Sequence, residues 1–213
     1  MLDVGQNFNH YRFMLEILYA SIILVLFLVS YLKLDNLQRL TNYEGIKILK
    51  ASMLFFALAF FSRLIQYVVR FLMMLTELEI KGRFIAQSSL IVMMYLTSMA
   101  VVYLIYSNYW KKISLKYVLI YAHIGLLLFY YLFSAVTSIW VILAFQLLVS
   151  TILILATKKN IRFIYVLMSL FWIINMFLIY GGRGVHLEIK IILQLTSVIF
   201  LIYFTKKLFS KIK

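Results

Sequence analysis

The chain has 213 residues, of which 65% are hydrophobic and 13% charged, and its net charge is +14. A soluble domain carries about 25% charged residues, so this composition, with a mean hydropathy of +1.01, excludes an ordinary soluble fold and predicts one all-α domain of membrane-spanning helices. Cysteine and proline are absent, which excludes disulfides, thiolate metal sites and a cysteine nucleophile, and also the proline-broken helices on which many transporters build their sites.

A spanning helix needs about 20 apolar residues. The first predicted span covers 13–32. It is long, has an acidic and polar front, and is followed by no small-residue cleavage site, so it is expected to remain as a helix rather than leave as a signal peptide. Segment 33–50 carries Leu34, Leu37, Leu40, Ile46 and Leu49 among polar residues, with a break at Asn42-Tyr43-Glu44-Gly45. It is expected to extend the first helix, turn, and lie along the cytoplasmic interface. The second span, 51–75, contains Arg63, Gln66 and Arg70, and the third covers 84–106.

Residues 117–157 hold no Lys, Arg, Asp or Glu. At 1.5 Å per residue this run reaches roughly 60 Å, twice the thickness of a bilayer core. It therefore divides into a fourth span, 117–135, and a fifth, 136–156, with a tight turn near 134–138. The sixth span covers 163–180 and the seventh 189–205. With the N-terminus outside, 14 basic residues fall in cytoplasmic segments, five outside, and Arg63 and Arg70 within the second span. This positive-inside alternation supports seven spans with a cytoplasmic C-terminus in a cell membrane. The net charge then needs no nucleic-acid partner, because the basic residues meet anionic lipid headgroups.

Few catalytic chemistries fit the chain. A retinal pigment would need a lysine in the middle of the seventh span, around Ser197, and there is none. Paired haem ligands would need two histidines at one depth, but His10 and His186 fall outside and His123 in the inner half of the fourth span. His123 reads as a hydrogen-bonded helix histidine. No two carboxylates share a helix face inside the membrane, so no metal site and no cofactor are expected, and Glu16 is the one acid placed for proton coupling. The loop Gly181-Gly182-Arg183-Gly184 could form an anion-binding nest of backbone N–H groups or simply a tight turn.

The strongest polar signal is on the second span. At 100° per residue, Arg63, Gln66, Arg70 and Glu77 fall within about 60° of one another, with Ser52 and Tyr67 beside them. Arg63 lies near the membrane centre, where a charge must face the bundle interior. Gln146, Asn175 and Gln194 lie at compatible depths on other spans. These residues are expected to line an outward-facing cavity, with Arg63 as the anchor of a small polar or anionic ligand or as a clamp between helices. Glu16 and Arg70, both about 10 Å outward of centre, are expected to pair.

The stretch 40–64, LTNYEGIKILKASMLFFALAFFSRL, resembles a pattern in small seven-helix membrane proteins of archaea, through Gly45-Ile46, Lys50, Phe55-Phe56 and Arg63. It is also similar to the membrane modules that precede signalling domains in prokaryotic sensors. The resemblance implies a sensory, receptor-like module that signals through a membrane or cytoplasmic partner, since the sequence ends at Lys213 with no output domain. The readings left open are this non-enzymatic sensory or partner-binding module, a small carrier or channel for an organic or anionic solute, and a lipid-modifying intramembrane enzyme.

Overall fold

A computed structural model describes residues 10–76, 79–111, 114–134, 162–180 and 186–212, with a few isolated positions between 144 and 155. Its described elements are helices: α1 His10–Thr41, α2 Glu44–Thr76, α3 Glu79–Tyr109, α4 Leu115–Ser134, α5 Arg162–Tyr180 and α6 Leu187–Ile212. No strand occurs among the described residues. Three stretches, Phe13–Thr41, Glu44–Met73 and Leu187–Ser210, are long and apolar enough to cross a membrane, and shorter apolar stretches lie at Ile91–Ser107, Leu119–Leu128 and Tyr165–Asn175. The fifth predicted span, apart from the isolated positions, lies outside the described residues.

The first two helices are longer than the apolar runs that define them. At 32 and 33 residues they reach roughly 50 Å, well beyond the ~30 Å of a hydrocarbon core. The break between them is only two residues long. Asn42 adopts a positive φ of 47°, the left-handed conformation that ends many helices, and its N–H returns to the Gln38 carbonyl at 2.7 Å. The Tyr43 carbonyl then accepts from the N–H groups of Ile46 and Lys47 at 3.0 and 3.3 Å, which starts α2. Residues 44–50 are therefore the first turns of α2, not a separate strip along the interface. The reason is packing: Leu34, Ile46 and Leu49 are buried and Leu37 packs against them. Asp35 fastens the hairpin by ion pairs to Arg39 at 2.9 Å and to Lys50 at 2.8 Å. Gly45 leaves room at this corner, since a Cβ there would stand 2.6 Å from the Tyr43 ring and 3.1 Å from the Trp110 indole nitrogen.

Each central helix buries residues at alternating three- and four-residue steps. On α1 they are Ala20, Ile23, Phe27, Ser30 and Leu34, and on α6 Lys190, Gln194, Ser197, Leu201, Phe204 and Leu208. This spacing gives a straight seam against neighbouring helices. The opposite faces, with Leu18, Val25 and Leu32 on α1 and Leu195, Ile199 and Ile202 on α6, are apolar and exposed. A soluble bundle would place polar side chains there.

Aromatic rings join α1, α2 and α5. Phe27 stacks on Phe56 at 4.9 Å and meets Phe171 edge-on at 5.7 Å, and Phe56 meets Trp172 at 5.7 Å. Small residues bring α3 against α2: Ser52 donates to the Ala100 carbonyl at 2.7 Å and Ser62 to the Ser89 carbonyl at 2.8 Å. Such side chains let backbones approach where no hydrophobic effect separates helix from lipid. α4 packs on α3 through Met94, Met99 and Leu126, and the Tyr95 hydroxyl bonds His123 Nδ1. α1 and α6 run parallel, with Glu16 against Lys190 near one end and Lys33 over Phe209 near the other.

Candidate functional site

The polar face of α2 puts one cation deep in the bundle. Arg63 is 2% exposed. Its Nε–H donates to the Tyr67 hydroxyl, one turn along the same helix, at 2.9 Å. Its Nη1 donates to Asn175 Oδ1 on α5 at 3.2 Å. The guanidinium carbon also lies 5.4, 5.7 and 5.9 Å from the ring centroids of Tyr19, Tyr67 and Phe60. No carboxylate among the described residues forms an ion pair with it.

Asn175 is the hub. Its Oδ1 accepts from Arg63 and also from the Tyr19 hydroxyl of α1 at 2.8 Å. Its Nδ2 is spent on the Phe171 carbonyl at 2.9 Å. Because Tyr19 donates to Asn175, its oxygen must accept from the neighbouring Ser197 hydroxyl of α6. Ser197 also stands 3.1 Å from the Gln194 carbonyl, but one hydroxyl proton can serve only one of these acceptors. The chain Ser197–Tyr19–Asn175–Arg63 thus links α6, α1, α5 and α2. An arginine at a helix centre costs about 2.5–3.5 kcal/mol on insertion scales. Hydrogen bonds to a charged group return about 1.5–3 kcal/mol each, so two of them offset that cost without any carboxylate.

A second buried cation sits nearer the chain ends. Lys190 Nζ pairs with Glu16 Oε1, with side-chain exposures of 5% and 18%. Lys190 lies in the first turn of α6, whose backbone N–H of residue 190 bonds the His186 carbonyl at 3.1 Å. The positive end of the helix dipole disfavours a lysine there. A carboxylate at contact is what makes the placement tolerable.

Two polar atoms near this cluster are buried with no hydrogen-bond partner among the described residues: Gln194 Nε2 and Trp172 Nε1. Beside Asn175, between Phe60, Thr97 and Trp172, lies a void of ≈ 10 Å³, about the size that admits a single water.

The residues expected to line a ligand cavity are placed as follows. Arg63 and Asn175 are bonded to each other, and Gln66 is buried one turn from Arg63 on α2. Gln194 is buried on α6 and touches the chain through its carbonyl. Glu16 takes Lys190 as its partner. The side chain of Arg70, with which Glu16 was expected to pair, lies outside the described residues, as do Gln146 and the loop Gly181, Gly182, Arg183 and Gly184. Sequence reasoning passes over Tyr19 and Ser197 as site residues and reads Lys190 as an interfacial anchor. The seam spacing 190, 194, 197 is the signal that could have found the last two, since it puts them on one face with Gln194. No group of three His, Asp or Glu residues placed to hold a metal ion occurs among the described residues. No family model, curated protein or solved structure matches the chain.

Proposed function

We propose that the chain is a seven-span cell-membrane protein with its N-terminus outside, and that it is a sensory or partner-binding module whose input is a small anionic or polar ligand recognised at Arg63. The observation that carries this reading is the buried guanidinium with no carboxylate partner among the described residues. Lys190 has its charge matched locally; among the described residues Arg63 is held by neutral oxygens and ring faces. In a low-dielectric interior its net positive potential persists and favours an anion. The helix directions support the seven spans: the contacts run α3 antiparallel to α2, α4 antiparallel to α3 and α5 alongside α2, so α4 ends and α5 begins at opposite ends of the bundle, as one further crossing between them requires.

The proposed signal follows from the geometry. A ligand that takes the Nη1–H now given to Asn175 competes with that bond, since Arg63 is covered in this state. Losing the Arg63–Asn175 bond loosens α5 from α2, while Tyr19 and the Phe171 and Trp172 rings still hold it. The ligand therefore selects a different packing of α5, and its energy of selection is the difference in affinity between the two packings. A partner protein reading the opposite end of α5 would detect the change.

The test is thermal unfolding of the full chain in lipid nanodiscs with chloride, acetate, phosphate or succinate at matched ionic strength. One class of anion should raise Tm in the wild type and not in Arg63→Gln. Equal shifts in both, or none in the wild type, would remove Arg63 as the anchor. Reporter fusions check the topology separately: those after Asn36, Ser107, Lys159 and Lys211 should read as cytoplasmic and those after Glu79, Thr137 and Gly182 as external.

A further inference from the structure

α1 and α6 leave a groove between them at the end opposite Glu16 and Lys190, with a volume of ≈ 470 Å³. That is within the range of about 300–1,000 Å³ typical of ligand sites. Its wall is apolar along Leu26, Val29 and Ile202 and basic at Lys33 and Lys206, with Phe209 at the basic end. We infer that this groove binds one anionic phospholipid, with an acyl chain along Leu26, Val29 and Ile202 and the phosphate between Lys33 and Lys206.

Three observations lead there. The first is charge. Neither lysine forms an ion pair with a described carboxylate, and the nearest acid in sequence, Asp35, is taken by Arg39 and Lys50. Lys33 instead lies 5.4 Å over the Phe209 ring. Two uncompensated ammonium groups lining one groove repel, and an anion between them relieves this. The second is depth. Lys33 directly follows the apolar run 13–32 and Lys206 the run 189–205, and their helices run parallel. Both lysines therefore stand at headgroup level, with the apolar wall one to two turns deeper. The third is the lack of competing recognition by hydroxyl groups. Thr205 and Ser210 turn back to the carbonyls of Leu201 and Lys207 at 2.8 and 2.9 Å. Selection then rests on charge and on an apolar chain together, which is what an anionic lipid offers and a free anion does not. The inference rests on the membrane reading of the chain and is independent of any ligand at Arg63.

The experiment is native mass spectrometry of the full chain in detergent, titrated with phosphatidylglycerol or phosphatidylcholine. The wild type should retain one phosphatidylglycerol in preference to phosphatidylcholine. Each lysine replaced in Lys33→Gln and Lys206→Gln should weaken retention roughly fivefold, from about 1 kcal/mol per basic residue near a charged surface. Ile202→Trp, which fills the apolar wall, should weaken it with both lysines in place. Lys47→Gln, outside the groove and paired with Glu44, should retain the lipid, and so should Arg63→Gln. Equal retention of the two lipids would overturn the inference. So would competition by inorganic phosphate as strong as by the lipid, or a dimer of the chain that Ile202→Trp dissociates.

Discussion

Arg63 and Lys190 are both buried cations in one polar seam, and they are neutralised in opposite ways. Lys190 meets a carboxylate at contact, whereas Arg63 meets an amide oxygen, a phenol oxygen and three aromatic faces. The difference concerns what is left behind when either is removed. Without Lys190, Glu16 becomes a mostly buried charge with no partner. Without Arg63, the described partners left behind are neutral, and Asn175 still accepts from Tyr19. A pair fixes its own geometry, but a lone cation among neutral dipoles leaves its charge available.

The sharpest way to break this contrast is to delete one charge at a time. Lys190→Met should lower the unfolding free energy by about 3 kcal/mol, the lower end for breaking a buried pair, because Glu16 retains some access to solvent. The double variant Glu16→Gln/Lys190→Met should recover most of the loss. The measurement is reversible unfolding in mixed micelles. Simple additivity of the two single variants would show that the pair contributes no coupling.

Next in size is the cation without an acid. Arg63→Met keeps most of the volume and should cost about 1–2 kcal/mol, since it removes two hydrogen bonds and strands the Tyr67 hydroxyl. It should also yield a folded chain. If Arg63→Met proved as damaging as Lys190→Met, the contrast would fail, and a carboxylate from beyond the described residues would be implicated.

A smaller effect isolates the hub. Tyr19→Phe removes one donor to Asn175 and should cost about 1 kcal/mol. Asn175→Ala should cost more, because it strands both Tyr19 and an Arg63 N–H. Combined, the two should be less than additive by at least ~0.5 kcal/mol, as expected for residues in one network. Strict additivity would mean that Tyr19 and Asn175 do not share the bond on which the relay depends.

Much of this arrangement is visible in the residues alone, and the rest is hidden for identifiable reasons. The apolar runs locate every described helix, because backbone groups in lipid have few alternatives to helical bonding. The interior aim of Arg63 follows from its depth. Lys190 reads by itself as an interfacial anchor, because sequence shows its place near the start of an apolar run and not which neighbour stands across from it. Glu16 was directed to α2 because helices joined by one connection are often adjacent. α1 does pack on α2, and the Arg70 side chain lies outside the described residues; among those described the Glu16 carboxylate meets Lys190 on the parallel α6. Tyr19 carried no signal at all: one tyrosine among 16 becomes special only through the distant residues 175 and 197. The extension of α1 past residue 32 and the break after Thr41 are legible in the sequence; that 44–50 begin α2 is obscured by polar residues, although Ile46 and Leu49 continue the spacing of Met53, Phe56 and Phe60.

Asp35 supplies a third case that sharpens the comparison, an ion pair of the Glu16 kind placed near water. The hydrogen bond from Lys50, aided by the charges of Arg39 and Lys50, holds its carboxyl below the ordinary value of 3.8, and desolvation works against them. A carboxyl whose folded pKa is depressed adds stability above its unfolded pKa and loses it as pH falls through the folded one. Asp35→Asn should therefore lower Tm at neutral pH, and the gap from wild type should close as pH drops below 3.8. The effect should be the smallest of the four, because solvent screens the Arg39 pair, whose cation is 77% exposed, and leaves the half-buried Lys50, 19% exposed against 5% for Lys190, to carry it. Raising the salt concentration should shrink the Asp35 gap further while leaving the cost of Lys190→Met nearly unchanged, since buried pairs are screened much less. Thermal scans of both variants at low and high salt separate the two cases. A Lys190→Met cost that falls with salt as steeply as the Asp35 gap would place Glu16 and Lys190 in water rather than in the seam.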